Sequence, residues 1–121
     1  MNIKLFDSEL KVMEALWKEG DLTAGQLAKI LKEQTDWNRN TTYTVIKKLL
    51  DKGVIERIDP NFICHALISK EQAQALEVDE LIDKMFGGST DLLFAALLDR
   101  ENISGETMER LLEKVNQDGR G

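Results

Sequence analysis

Apolar residues recur every three or four positions through most of the chain and crowd a single strand-like stretch near its middle, and this change of period divides the sequence into parts. Leu10, Met13, Leu16 and Trp17 fall at helical spacing behind Asp7 or Ser8, either of which can cap a first helix, with Gly20 as a left-handed stop. Thr23-Ala24-Gly25-Gln26 has the form of a capping box. A second helix is therefore expected there, burying Leu27, Ile30 and Leu31 and fading near Gln34. After a short connection, Asn38 can cap a third helix that runs to about Lys52, ahead of Gly53. At about 100° per residue, Thr42, Val45, Ile46, Leu49 and Leu50 share one face of it, while Asn40, Thr44 and Lys47 lie opposite, flanked by Tyr43 and Lys48.

Beyond Gly53 the pattern turns to β-branched and aromatic residues: Val54 to Ile58, the turn signal Asp59-Pro60-Asn61, then Phe62 to Ile68. This reads as a hairpin. Helices followed by a hairpin, with the second and third helices joined by a short turn, give the order of a winged helix-turn-helix.

Ser69-Lys70-Glu71-Gln72 is a second capping box, and Ala73, Leu76, Ile82, Met85 and Phe86 carry a fourth helix to Gly87-Gly88. Ser89 or Thr90 can open a fifth, Asp91 to Leu98, apolar on nearly every side, which is the pattern of a helix buried all round. Ser104 opens a sixth, with Met108, Leu111, Leu112 and Val115 on one stripe. The expected division is residues 1–70 as a winged DNA-binding domain and 71–121 as a three-helix dimerisation domain, making the fold class mostly α with a small β-hairpin. A segment this short cannot enclose an all-apolar helix alone, and a second copy is the simplest cover. Met85, Phe86, Leu92, Leu93, Phe94, Leu97, Leu98, Met108, Leu111, Leu112 and Val115 are the expected homodimer interface. The alternative is that these helices fold back on the first domain within one chain.

Composition sharpens this division. The 121 residues carry 42% hydrophobic residues, enough for a folded core, and a net charge of −6. Residues 1–70 hold 11 Lys and Arg against 10 Asp and Glu, and residues 71–121 hold 5 against 12. A surface for nucleic acid thus belongs to the first part, and the acidic second part should be repelled by phosphates. No segment resembles a secretory signal or reaches the roughly 18 apolar residues of a membrane span, so a cytoplasmic protein with no membrane contact is expected. The single cysteine, Cys64, is expected to be a small core residue.

Catalytic chemistry finds little support. Cys64 and His65 are neighbours on an expected strand and so point to opposite faces, and one Cys with one His cannot make a structural zinc site. Glycine-rich phosphate loops and the nucleophile elbow do not occur. The carboxylate pairs Asp79 and Asp83, and Glu106 and Glu109, read as solvated helix faces. Neither an enzyme, nor a cofactor, nor a metal is expected.

Glu9-Leu-Lys-Val-Met-Glu-Ala-Leu-Trp17, Asp36-Trp37, Thr41-Thr-Tyr-Thr-Val-Ile-Lys-Lys-Leu-Leu-Asp-Lys-Gly53 and the Gly87-Gly88 step before an apolar helix together resemble the bacterial penicillinase, methicillin-resistance and copper repressors over nearly the whole chain. The resemblance implies a dimeric transcriptional repressor that binds a palindromic operator of double-stranded DNA. In penicillinase-type members it also implies a regulatory protease that cleaves the dimerisation domain on a β-lactam signal, commonly between asparagine and phenylalanine. The matching place here reads Ala95-Ala96-Leu97-Leu98. The cysteine-rich tail of the copper-responsive members is absent, and the hairpin tip, Ile58-Asp-Pro-Asn-Phe62, lacks the basic residues that relatives tend to carry.

For a third helix lying in the major groove, Asn40 suits adenine and Arg39 suits guanine, while the methyls of Thr41 and Thr44 suit thymine. Lys47 and Lys48 suit phosphates, as do Arg57 in the wing and the amides of Thr23, Ala24 and Gly25 at the start of the second helix. Tyr43 belongs either to this DNA-binding face or to packing against the hairpin. A protein-interaction adaptor that uses the winged domain without sequence-specific DNA binding is the alternative function.

Overall fold

In the computed structural model, which describes residues 3–100 and 105–118, the chain runs α1 (Asp7–Glu19), β1 (Leu22–Thr23), α2 (Ala24–Thr35), α3 (Arg39–Lys52), β2 (Ile55–Ile58), β3 (Ile63–Ala66), α4 (Lys70–Met85), α5 (Thr90–Leu98) and α6 (Gly105–Asp118). It is mostly helical with a small antiparallel sheet. Two compact units divide at Glu77 and Val78, within α4.

The first unit has a closed core. Val12, Met13 and Leu16 from α1, Leu27 and Leu31 from α2, Val45, Ile46 and Leu49 from α3, and Val54, Ile55 and Cys64 from the sheet form one buried cluster. Leu10, Trp17, Ile30 and Leu50, expected inside, are half-buried instead. The Trp17 indole lies at the core edge and donates its N–H to the Ile68 carbonyl at 3.0 Å, which satisfies the one polar atom that full burial would have stranded.

α1 corrects the expected cap. Neither Asp7 nor Ser8 caps it; Phe6 holds the N-cap position, and the Glu9 carboxylate accepts the Phe6 N–H at 2.8 Å. Gly20 has positive φ (84°) but ψ of −160°, outside the left-handed helical region. α2 follows the capping box as expected, with Thr23 N–H donating to Gln26 Oε1 at 2.8 Å and Gln26 N–H to Thr23 Oγ1 at 3.1 Å. α2 ends at Asp36 in the left-handed region, and α3 opens on the Asn38 side chain, which accepts the Thr41 amide at 2.8 Å. Gly53 closes α3 with φ 74° and ψ 20°, a conformation that carries little penalty for glycine.

The wing holds three strands where a two-stranded hairpin was expected. β1 adds to the β3 edge in the order β1-β3-β2, with Leu22 opposite Cys64 and Thr23 opposite Ile63. β2 and β3 pair with Ile55 opposite Ala66 and Ile58 opposite Ile63. Two residues are too short a strand to show a period, which is why the pattern along the chain concealed β1.

In the second unit, the Gly87-Gly88 step has positive φ at both residues, and the Ser89 hydroxyl accepts the Leu92 amide at 3.2 Å to start α5. The all-round burial expected of α5 does not occur within one chain. No α5 residue is buried; Leu93, Phe94 and Leu97 are half-buried, and Leu92 is 57% exposed. Ile82 is the one buried residue of α4, whereas Val78, Leu81 and Met85 are exposed. The expected cap Ser104 and the side chains of Met108, Leu111, Leu112 and Val115 lie outside the described residues.

Candidate nucleic-acid interface

α3 is two-faced because its apolar residues recur at helical spacing and its polar ones fill the gaps. Thr42, Val45, Ile46 and Leu49 are buried, while Arg39, Asn40, Thr44, Lys47 and Lys48 are exposed. The side chains of Asn40, Lys47 and Lys48 make no hydrogen bond or ion pair with any described residue, so their donors are available to a partner. The threonine hydroxyls are already engaged. Thr41 Oγ1 donates to Asn38 Oδ1 at 3.0 Å and Thr44 Oγ1 to the Asn40 carbonyl at 2.9 Å, leaving the methyls as the groups these residues can offer outward.

Arg39 and Arg57 are exposed but not free. Arg39 Nη2 donates to the Tyr43 hydroxyl at 3.0 Å, with the guanidinium 5.1 Å from that ring. Arg57 Nε donates to Asp59 Oδ1 at 2.8 Å, and its guanidinium lies 3.8 Å from the Phe62 ring centre. Tyr43 is half-buried and packs edge-on against Phe62, which joins α3 to the wing.

The amides expected to be free at the start of α2 are largely occupied. Thr23 N–H serves the capping box, and Ala24 N–H donates to the Phe62 carbonyl at 2.9 Å. The wing docks on this helix end and takes the amide that a phosphate would have used. Sequence reasoning missed Lys29 and Lys32, which with Gly25, Ala28, Asn38 and Arg39 line a shallow depression between α2 and the start of α3. Their spacing of three along an exposed helix face was the available signal. Lys32 pairs with Asp36 at 3.0 Å.

An ion pair between buried Glu9 and half-buried Lys52 fixes the far end of α3. Glu9 is 1% exposed, and its Oε1 accepts Lys52 Nζ at 2.6 Å as well as the Phe6 amide. Lys52 Nζ also donates to the Lys4 carbonyl at 2.6 Å and sits 4.7 Å above the Phe6 ring. The segment before α1 is thereby tied to the end of α3.

Cys64 is buried and faces the core, and its burial pushes the thiol up to about 11, so it stays protonated and unreactive. His65, on the opposite strand face, holds Asp21 at 2.7 Å; the hydrogen bond and the charge of Asp21 raise its pKa. Among the described residues, no three or more His, Cys, Asp and Glu side chains are grouped so as to hold a metal ion, and no helix is long and apolar enough to cross a membrane.

The chain is 24% identical to the methicillin resistance regulatory protein MecI of Staphylococcus aureus (strain N315) over 116 residues, 94% of each chain. It is 27% identical to an uncharacterized 16.5 kDa protein from the ptsI 3' region of Latilactobacillus sakei, over 80% of this chain and 68% of that one. A solved MarR family protein from Bacillus stearothermophilus superposes with a TM-score of 0.47 at 25% identity, over 99% of this chain and 79% of that one. Residues 5–117 match the penicillinase repressor family, so the chain belongs to that family of transcriptional repressors, which are not enzymes.

Proposed function

We propose that the chain is a homodimeric repressor whose two α3 helices enter successive major grooves of an inverted-repeat operator. The observation that carries this is the outer face of α3, where the side chains of Asn40, Lys47 and Lys48 are exposed and unpaired among the described residues while the inner face is locked into the core. Asn40 near the helix start can make a paired contact with adenine, and the Thr41 and Thr44 methyls suit thymine. Lys47 and Lys48 suit phosphates, and Arg39 and Arg57 add cations at either end of the surface. At the start of α2, Thr23 and its neighbours act through the positive end of the helix dipole, because the Thr23 and Ala24 amides are taken.

Dimerisation is supported by the second unit, where Leu92, Leu98 and Met85 expose apolar surface that water disfavours. Half-sites would then lie about one helical turn apart or a multiple of it. The inducing event acts on the same unit. Ala95 and Ala96 are exposed but helical, so cutting by a regulatory protease there requires α5 to unwind first.

The test is selection of duplexes from a random pool, followed by anisotropy titration of the retained sequence. An inverted repeat should emerge, with affinity falling about 10³- to 10⁵-fold between 50 and 200 mM salt if 6 to 10 phosphates are neutralised. Asn40→Ala with Lys47→Ala should reduce binding sharply at an unchanged melting temperature. Undiminished binding by that pair, or retention of no particular sequence, would count against the assignment.

A further inference from the structure

We infer that Phe62 is a positioning residue that joins the wing to α3, so that Arg39 and Arg57 meet DNA as one preset pair. The inference rests on the DNA-binding reading above and adds to it a residue that touches no base. Five side chains form an unbroken line from the wing tip to the start of α3. Asp59 holds Arg57 through Nε at 2.8 Å, and Arg57 lies 3.8 Å from the Phe62 ring centre. Phe62 meets Tyr43 with ring centres 5.9 Å apart at 83°, and Tyr43 takes Arg39 on its hydroxyl at 3.0 Å with the guanidinium 5.1 Å from its ring.

The backbone at the centre of this line is unusual. Phe62 has φ of 51°, a conformation uncommon for a bulky aromatic residue, and its carbonyl accepts the first amide of α2 at 2.9 Å. A residue kept in such a backbone conformation needs surrounding contacts to hold it, and here those contacts are α2, Tyr43 and Arg57. One residue therefore ties three elements of the surface together.

The consequence for binding is entropic. A free arginine loses much rotamer freedom when it seizes a phosphate or a guanine edge, and a guanidinium already resting on a ring loses less. Arg57 gives only Nε to Asp59, and Arg39 only one Nη2 bond to Tyr43, so each keeps further N–H groups for DNA. The tip has few basic residues, and preorganisation of this one arginine compensates for their scarcity.

The experiment uses the full chain with Phe62→Leu, which keeps apolar bulk but removes the ring, and Phe62→Tyr, which restores it. In the free protein, NMR should show the Arg57 side-chain protons displaced upfield by the ring in the unaltered chain and in Phe62→Tyr, but not in Phe62→Leu. On the duplex retained by the unaltered chain, Phe62→Leu should bind about 10-fold more weakly, with its salt slope reduced by about 1, and Phe62→Tyr should recover both. If Phe62→Leu fails to fold, the cycle of Arg39→Ala, Arg57→Ala and the double variant replaces it, with a combined loss that differs from the sum of the single ones. Full affinity and slope in Phe62→Leu, additive arginine losses, or Arg57 protons at ordinary positions would overturn the linkage. Retention of no duplex by the unaltered chain would instead sink the DNA-binding reading, and the linkage with it.

Discussion

Met13, Leu27, Leu31, Ile46 and Leu49 in the first unit are shut away from solvent, whereas in the second Met85 is 65% exposed and Leu92 57% exposed. Both stretches are rich in apolar residues, so apolar content does not separate them. Geometry does. Helices α1, α2 and α3 meet around one cluster and the sheet closes its side, but α5 is apolar on faces that point in several directions, and a single chain covers none of its residues fully. On the proposed reading, the first unit stands alone while it reads DNA, and the second is completed by the other copy of the dimer.

The comparison breaks most visibly at α5. Leu92→Asp with Leu98→Asp should abolish the dimer, seen as a halved mass in sedimentation, and should lower operator affinity by about 10²- to 10⁴-fold through lost avidity. The first unit should keep its helical signal and its weak half-site binding. An operator affinity unchanged by a monomerising pair would remove the link between the two units' roles.

A core truncation gives the converse result. Leu27→Ala removes a fully buried side chain and should cost about 4 kcal/mol in urea unfolding, at any protein concentration. By contrast, the stability conferred by the second unit should rise with concentration, because a dimer is favoured by mass action. Smaller still is the effect at the end of α3. Lys52→Met should cost about 3 kcal/mol, because the buried Glu9 carboxylate loses its cation, and Glu9→Leu with Lys52→Met should recover most of it. A double variant as unstable as the single one would show that packing, not charge, matters there.

The sequence disclosed what regular periods and local caps encode. The capping boxes at Thr23 and Ser69, the Asn38 cap and the inner face of α3 were legible because each depends on residues within one or two turns of one another. What stayed hidden depends on contacts across the fold. The Glu9–Lys52 pair joins residues 43 positions apart, a separation that no local spacing encodes. Of the free amides expected at α2, that of Ala24 was taken by the Phe62 carbonyl, and β1 had too few residues to announce itself. For the interface, the exposed face of α3 was readable from spacing alone, while the line from Asp59 to Arg39 could be found only once the wing was folded against Tyr43.

The smallest expected effect lies in the wing and follows the pH. Asp21, between α1 and β1, holds His65 of β3 at 2.7 Å, so the pair fastens the β1 edge of the sheet. The hydrogen bond and charge of Asp21 raise the His65 pKa above 6.5, with Glu56 adding a little and slight desolvation opposing. A raised folded-state value means that the protonated imidazole favours the folded form. Its contribution is therefore complete below the unfolded value of 6.5 and disappears as the pH climbs through the raised one. His65→Gln should melt slightly below the unaltered chain in mildly acidic buffer and at the same temperature in alkaline buffer, with the difference shrinking in high salt because both side chains are exposed. A gap that widens toward alkaline pH would mean that the neutral ring, not the ion pair, is what the wing needs. Since the first unit's core is closed without this pair, the melting difference should stay small and confined to the sheet, visible as faster amide exchange at Leu22 and Thr23 while the amides of α3 keep their protection.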